Sequence, residues 1–162
     1  FPNGFAQAVL SSDRWATHLN TKAKAHQICL AHLLRELNYL EAAEKHPFSI
    51  SLQALFRQAI HLKKQQGCPG EEVTVLLEKQ LDLLLQETIP KDQFPDTARM
   101  QKSMIKLRDA IFTFLYNTEI SPDNNASERA IRNVKVKMKV SGQFKTGQEN
   151  FAVLRSIIES LK

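Results

Sequence analysis

The chain has 162 residues, 43% of them hydrophobic, with five Gly, six Pro, two Cys and a formal net charge of +5. That length buries one core, as a single domain or a domain with an insertion, and the apolar content without any low-complexity tract excludes a disordered chain. Runs such as Leu83-Leu84-Leu85 are far too short to span a bilayer and no leader pattern opens the chain, so a cytoplasmic protein with no membrane partner and reduced Cys29 and Cys68 is expected.

Asn3-Gly4 reads as a tight turn into the apolar stretch Phe5–Leu10, which is expected to be a buried strand ending at Ser11-Ser12-Asp13. A short helix over Arg14–Leu19 and a second strand over Ala25–Leu30 follow. From Ala31 the period changes, and Leu33, Leu34, Leu37 and Leu40 predict an amphipathic helix that stops near His46-Pro47. Ser49 or Ser51 is the expected cap of the next helix, whose apolar face is Leu52, Leu55, Phe56, Ala59 and Ile60 and which Gly67-Cys-Pro-Gly70 breaks. A third helix carries Val73, Leu77, Leu81 and Leu84 up to Ile89-Pro90. The fourth, expected to be the longest, runs from Thr97 to Tyr116 with Met104, Leu107, Ile111, Phe114 and Leu115 on one side. Residues 47–118 therefore read as a helical block. From Val134 to Val140 apolar and basic residues alternate, a pattern open to strand or helix, and Phe151, Leu154, Ile158 and Leu161 recur at helical spacing.

The charge is unevenly placed. Residues 1–119 carry 14 Lys and Arg against 13 Asp and Glu, whereas residues 120–162 carry 8 against 4, and between Arg129 and Lys145 there are six cations and no acid. Clustering of this kind favours a polyanionic partner through phosphate neutralisation, although a basic run also serves as a plain solvated face. Just before it, Ser121-Pro-Asp-Asn-Asn-Ala-Ser-Glu-Arg-Ala-Ile-Arg132 sets carboxylates beside cations. Asp13, past the first strand, lies where open α/β sheets present functional groups, and a hard divalent cation takes carboxylate oxygens of the kind Asp13 and Glu128 offer. Plainer readings stand beside these: Asp13 as a turn residue, Glu128 closing a capping box on Asn125 and pairing with Arg132, or Ser121 capping a turn that starts at Pro122. Cys29-Leu-Ala-His32 has the spacing of half a zinc site. With no second pair to complete it, a buried thiol beside a half-buried His is the expectation. No phosphate-binding loop, dinucleotide fingerprint or serine nucleophile elbow occurs, and no small-molecule substrate is implied.

Ser12-Asp-Arg-Trp15, His26-Gln-Ile-Cys-Leu-Ala-His-Leu-Leu-Arg-Glu-Leu37 and Pro122-Asp-Asn-Asn-Ala-Ser-Glu-Arg-Ala-Ile-Arg132 together resemble the insertion-sequence-sixty-six family of bacterial DDE transposases. Lys139-Val-Ser-Gly-Gln-Phe-Lys145 and Leu154-Arg-Ser-Ile-Ile-Glu159 resemble it too, so the likeness spans nearly the whole chain in order. The resemblance implies a ribonuclease-H-like catalytic fold with two Asp and one Glu around magnesium or manganese, cutting DNA ends and joining them to a target. Asp13 matches the second Asp and Glu128 the Glu, both as catalytic residues and metal ligands. Asp123 is expected behind these ligands, Asn124 and Asn125 orient the Glu-bearing turn, and Arg129, Arg132, Lys135, Lys137, Lys139 and Lys145 contact DNA phosphates. Cys29 and His32 match a signature of several DDE transposase groups, with a structural role.

The expected architecture is mainly α with a small α/β part: an incomplete ribonuclease-H-like fold carrying a helical insertion. Residues 1–46 form a partial ribonuclease-H-like segment with the second Asp, 47–118 the insertion, and 119–162 the Glu-bearing helix, basic segment and C-terminal helix. One departure stands out, because no Asp or Glu precedes Asp13 and the first ligand of the triad is missing. The chain is accordingly expected to be a C-terminal fragment, inactive in strand transfer by itself, with an exposed edge at Phe5–Leu10 that pairs with a second copy. The competing readings are a non-catalytic helical DNA-binding or regulatory module and a helical oligomerisation module.

Overall fold

A computed structural model describes residues 5–14, 16–125, 129, 132 and 136. The chain divides into two compact units, Phe1–Asn124 and Asn125–Lys162. The first is mainly helical with a small parallel sheet, in the order β1 (Phe5–Ser12), α1 (Ala16–Leu19), β2 (Ala23–Ile28), α2 (Leu30–Glu44), α3 (Pro47–Gln66), α4 (Glu71–Leu85) and α5 (Pro95–Leu107), then two 3-10 turns at Arg108–Ala110 and Thr113–Leu115.

β1 and β2 pair in parallel, with Leu10 opposite His26, Ser11 opposite Gln27 and Ser12 opposite Ile28. Two expectations need correcting here. Ala6, Gln7 and Ala8 are exposed and, from Ala6 to Ser12, Ser12 alone is buried, so this stretch is not a buried strand. Apolar composition draws a strand inside only where another layer covers it, and β2 is its one strand neighbour among the described residues. β2 ends at Ile28, not Leu30, because Cys29 turns the chain as the N-cap of α2 and Leu30 already packs on that helix's buried face.

α2 buries Leu30, Leu33, Leu37 and Leu40 and closes at Lys45, which takes a left-handed φ of 55° and donates its N–H to Leu40 O. Neither Ser49 nor Ser51 caps α3. His46 does, its Nδ1 accepting from Phe48 N at 3.1 Å, while Pro47 occupies the first turn and Ser49 is buried inside the helix. Proline is suited to that position, where its missing N–H would have had no helical acceptor, so one residue both ends α2's reach and starts α3. Leu52, Leu55, Phe56 and Ala59 are buried as expected, with Ile60 at the margin. On α4 the buried stripe is Thr74, Leu77, Leu81 and Leu85, which moves Val73 to the exposed side and leaves Leu84 half-buried.

The last helix is the largest correction. Instead of running to Tyr116 it stops at Leu107 after 13 residues, and α3 with 20 is the longest described. Tertiary bonds take over from the helical ladder at that point. Arg108 forms a fork on Asp82, Nε to Oδ1 and Nη2 to Oδ2 both at 2.8 Å, with Glu78 at 3.4 Å, which ties the first 3-10 turn to α4. The fully buried Gln27 of β2 donates to Ile111 O at 2.9 Å and accepts from Phe114 N at 2.8 Å, while Thr113 Oγ1 donates to His26 O at 2.6 Å. A helix continuing through these residues would leave the buried Gln27 amide with only its bond to Ile28 O at 2.7 Å and its carbonyl oxygen without the Phe114 donor.

The start of α5 is held from a distance. Phe94 precedes it without a side-chain cap, and Glu44, the last residue of α2, accepts from Asp96 N and Thr97 N, both at 2.9 Å. Burial works against the charged form of Glu44, but those amide bonds prevail and hold its carboxyl below the usual range.

Candidate active-site junction

The site is assembled where β1, α2 and the segment after the second 3-10 turn meet. Cys29 N donates to Ser12 O at 2.8 Å, and the next amide, Leu30 N, donates to Pro122 O at 2.8 Å. Two consecutive amides at the start of α2 thus seat the end of β1 and the segment at Pro122 side by side. Amides in a first helical turn have no intrahelical acceptor, so a distant carbonyl is a natural partner for Leu30 N. A third bond joins the same node, since Asn124 N donates to Cys29 Sγ at 3.4 Å, and His32 Nδ1 lies 3.2 Å from that sulfur. Cys29 is fully buried and His32 half-buried, as the sequence led us to expect.

Asp13 follows directly on the strand. Its side chain is 42% exposed, with Oδ1 3.2 Å from Nδ1 of His18 on α1. Arg14 next to it is locked onto the helical part, bonded to Glu36 of α2 and to Ser103 Oγ of α5 at 3.1 Å, with its other contact on Met100 Sδ at 3.6 Å. The carboxylate therefore stands between a strand end and an arginine that are both held. Loops placed by such anchors are where binding and catalytic groups concentrate.

The approach to the second acid is ordered by short polar turns. Asn117 Oδ1 accepts from Glu119 N at 2.9 Å and Ser121 Oγ accepts from Asp123 N at 3.3 Å. Ser121 thus makes a turn, and Pro122 is not helical. Asp123 and Asn124 are half-buried, and Asn124 Oδ1 is shut off from solvent with no hydrogen-bond partner among the described residues. In the second unit Asn125 is already helical, so the position preceding the helix falls on Asn124, not on Asn125. Arg129 and Arg132 are helical and exposed, and Val136 is helical too. Glu128, Lys135, Lys137, Lys139 and Lys145 lie outside the described residues.

Asp13, Cys29, His32 and the Pro122–Asn124 segment are thus drawn to one end of the sheet. Sequence reading overlooked Arg14, Glu36, Ser103 and Gln27, which hold that end in place. Gln27 carried at most a faint signal, as an amide just before Ile28, Cys29 and Leu30. The arginine carried none, since its partners lie 22 and 89 positions away.

Asp13 fits the hard-oxygen chemistry of a divalent ion, being a half-exposed carboxylate at a strand end. Among the described residues no group of three or more His, Cys, Asp or Glu side chains could hold a metal. No helix among them is long and apolar enough to cross a membrane.

The structure thus shows a carboxylate behind a parallel strand, a helical block and a following segment brought back to that strand. The model of the Transposase IS66 family matches residues 2–150, and the chain belongs to that family. Membership carries with it a transposase-related role, DNA as partner and a divalent metal in the family's chemistry in general. No curated protein and no solved structure matches the chain.

Proposed function

We propose that this chain supplies Asp13 and Glu128 to the metal-binding carboxylates of a DDE transposase that cleaves DNA and transfers the cut strand. In this reading residues 1–46 and 119–162 are parts of a ribonuclease-H-like fold, and residues 47–118 are an insertion between its Asp-bearing strand and its Glu-bearing helix. The observation that carries the reading is the pair of adjacent amides, Cys29 N on Ser12 O and Leu30 N on Pro122 O, which starts the segment leading to Glu128 next to the strand that delivers Asp13. Magnesium or manganese, when bound, supplies charge stabilisation at the attacking and leaving oxygens of an in-line phosphoryl displacement.

The chain's own groups then have separate tasks. Asp13 and Glu128 hold the ion, Asp123 lies behind them, and Asn124 and Asn125 orient the turn from which Glu128 projects. Arg129 and Arg132, helical and exposed, act with Lys135, Lys137, Lys139 and Lys145 on DNA phosphates. Such contacts position the duplex and carry no sequence information.

Fluorescence anisotropy of a labelled duplex, titrated with this chain over a range of KCl with and without Mg2+, tests the proposal. Binding should weaken as salt rises, Arg129→Ala and Arg132→Ala should each lower the log-log salt slope by about 1, and Mg2+ should tighten binding unless Asp13 is replaced by Ala. DNA binding indifferent to Mg2+ and to Asp13→Ala would leave a non-catalytic DNA-binding module in its place. No binding even at low salt would remove the phosphate-contact role altogether.

A further inference from the structure

We propose that a pocket between α2 and α5 takes one unpaired base of DNA beside Asp13. Such a site depends on DNA being the partner, as in the reading above, and deepens that reading by naming what the first unit holds. It needs neither Glu128 nor the basic segment.

Two helix faces and one arginine build the pocket. On α2, Glu36, Tyr39 and Leu40 stand at i, i+3 and i+4, and on α5 Asp96, Arg99, Met100 and Ser103 stand at i, i+3, i+4 and i+7, so each set lies along one side of its helix. Arg14, directly after Asp13 in the chain, completes the walls. Its guanidinium is fastened to Glu36 of α2 and to Ser103 Oγ at 3.1 Å and Met100 Sδ at 3.6 Å on α5, so this wall is set before any ligand arrives. The volume is about 310 Å3, at the lower end of the range for small-molecule pockets, which suits a ligand of one ring system rather than a chain.

The charges decide the class of ligand. Arg14 is paired with Glu36, and Arg99 with Asp96 at 3.0 Å, so the two cations of the described walls are matched by two carboxylates. A phosphate entering here would meet both acids, and a metal ion both arginines. A neutral group that carries donors and acceptors together meets neither obstacle. The edge of a nucleobase is such a group, its ring nitrogens and carbonyls accepting and its amino groups donating. Arg14 and Ser103 offer it donors and Glu36 an acceptor. Tyr39 is 65% exposed, while Leu40 and Met100 are buried, so an accessible aromatic ring stands beside an apolar floor, as a stacking platform for the flat face of a base requires. Bases inside a duplex are stacked on both faces and paired along their edge, so only an unpaired or extruded base can enter. The Cα atoms of Asp13 and Arg14 are about 3.8 Å apart, as in any consecutive pair, so a strand gripped by a base here is gripped next to the carboxylate proposed to bind metal.

Fluorescence anisotropy with two short duplexes tests the site, one with a single overhanging adenine and one with an abasic overhang. Both carry the same number of phosphates, so counterion release is equal and any difference comes from the base. The adenine overhang should bind about 5- to 150-fold more tightly than the abasic one, the range for stacking one base on an aromatic side chain. Tyr39→Ala, at an exposed side chain, should erase that difference and leave binding of the abasic duplex unchanged. In NMR spectra of the chain labelled at its Met methyls, the adenine overhang should shift the Met100 signal and leave that of Met104, a core residue outside the pocket, in place. Equal affinities for the two overhangs would overturn the base pocket and leave DNA as the partner. A preference that survives Tyr39→Ala with Met100 unmoved would put the base elsewhere and overturn it as well. No binding of either duplex at low salt would remove DNA as the partner, and the pocket with it.

Discussion

Between Pro47 and Leu115 the fold is held by apolar side chains, whereas at the carboxyl ends of β1 and β2 it is held by hydrogen bonds between residues far apart in sequence. Phe56 is fully buried in α3 and meets the edge of Phe112 at a centroid distance of 6.2 Å, and Leu52, Leu77, Leu81 and Met104 are closed off from solvent around the same core. The junction instead depends on directed bonds made by Cys29 N, Leu30 N, Cys29 Sγ and the Gln27 amide. The first arrangement is stabilised by area and tolerates small adjustments of angle. The second fixes positions, which a carboxylate ligand needs, while contributing less to stability per residue.

The contrast is broken most forcefully from the helical side. Phe56→Ala removes a ring from a closed core and leaves a cavity, a change that costs about 3–5 kcal/mol. Urea unfolding followed by far-ultraviolet circular dichroism should show a large drop in midpoint. A loss below about 1 kcal/mol would mean that the block is not packed as a single core.

The same contrast explains what could be read beforehand. The amphipathic stripes of α2 and α3 were legible because Leu33, Leu37, Leu40, Leu52, Leu55, Phe56 and Ala59 repeat at the helical period, and that period is itself the packing instruction. The stop at Leu107 was not, because Met104, Ile111, Phe114 and Leu115 keep helical spacing straight through it. What ends the helix is Gln27, which lies 87 residues before its partner Phe114 N. The helix start at Pro47 was missed for a more local reason. Ser49 and Ser51 have the right chemistry for a cap, but His46 offers a ring nitrogen to Phe48 N and sits in front of a proline already suited to the first turn. Of the site, Asp13 was legible as an acid after a strand and Cys29 with His32 as a close pair. Their junction with Pro122 was not, since a hydrogen bond from Leu30 N to a carbonyl 92 positions on leaves no pattern in either segment.

Glu44 lies between the two kinds of construction, a side chain of the helical part that works through directed bonds. Glu44→Gln weakens the acceptor for Asp96 N and Thr97 N at the start of α5 and should cost about 1 kcal/mol at neutral pH, the usual scale for losing a helix N-cap. The pH dependence has a definite sign. The fold lowers this carboxyl below its ordinary value of 4.5, against the burial that would raise it, through those amide bonds. Its stabilisation is therefore complete above the unfolded-state value and is lost as pH falls through the lower folded one. Thermal melts between pH 7 and pH 3 should show the gap between Glu44→Gln and wild type closing at the acid end. A gap that is constant with pH would show that the amide bonds, not the charge, account for the effect.

The smallest expected change in stability belongs to the residue with the largest proposed part in function. Asp13 is 42% exposed, pairs with His18 at 3.2 Å, and lies outside the core. An exposed pair of this kind contributes little, so Asp13→Ala should alter unfolding free energy by no more than about 0.5 kcal/mol in either direction. Repulsion between Asp13 and a second carboxylate brought near it would even make the substitution mildly stabilising in the absence of divalent metal, and added Mn2+ should then stabilise the wild type and not the variant. Melting the two proteins side by side, with and without Mn2+, separates a carboxylate kept for an ion from one kept for a turn. If Asp13→Ala costs several kcal/mol without metal, the residue belongs to the framework, and the division between a core that stabilises and a junction that positions does not hold at this end of the sheet.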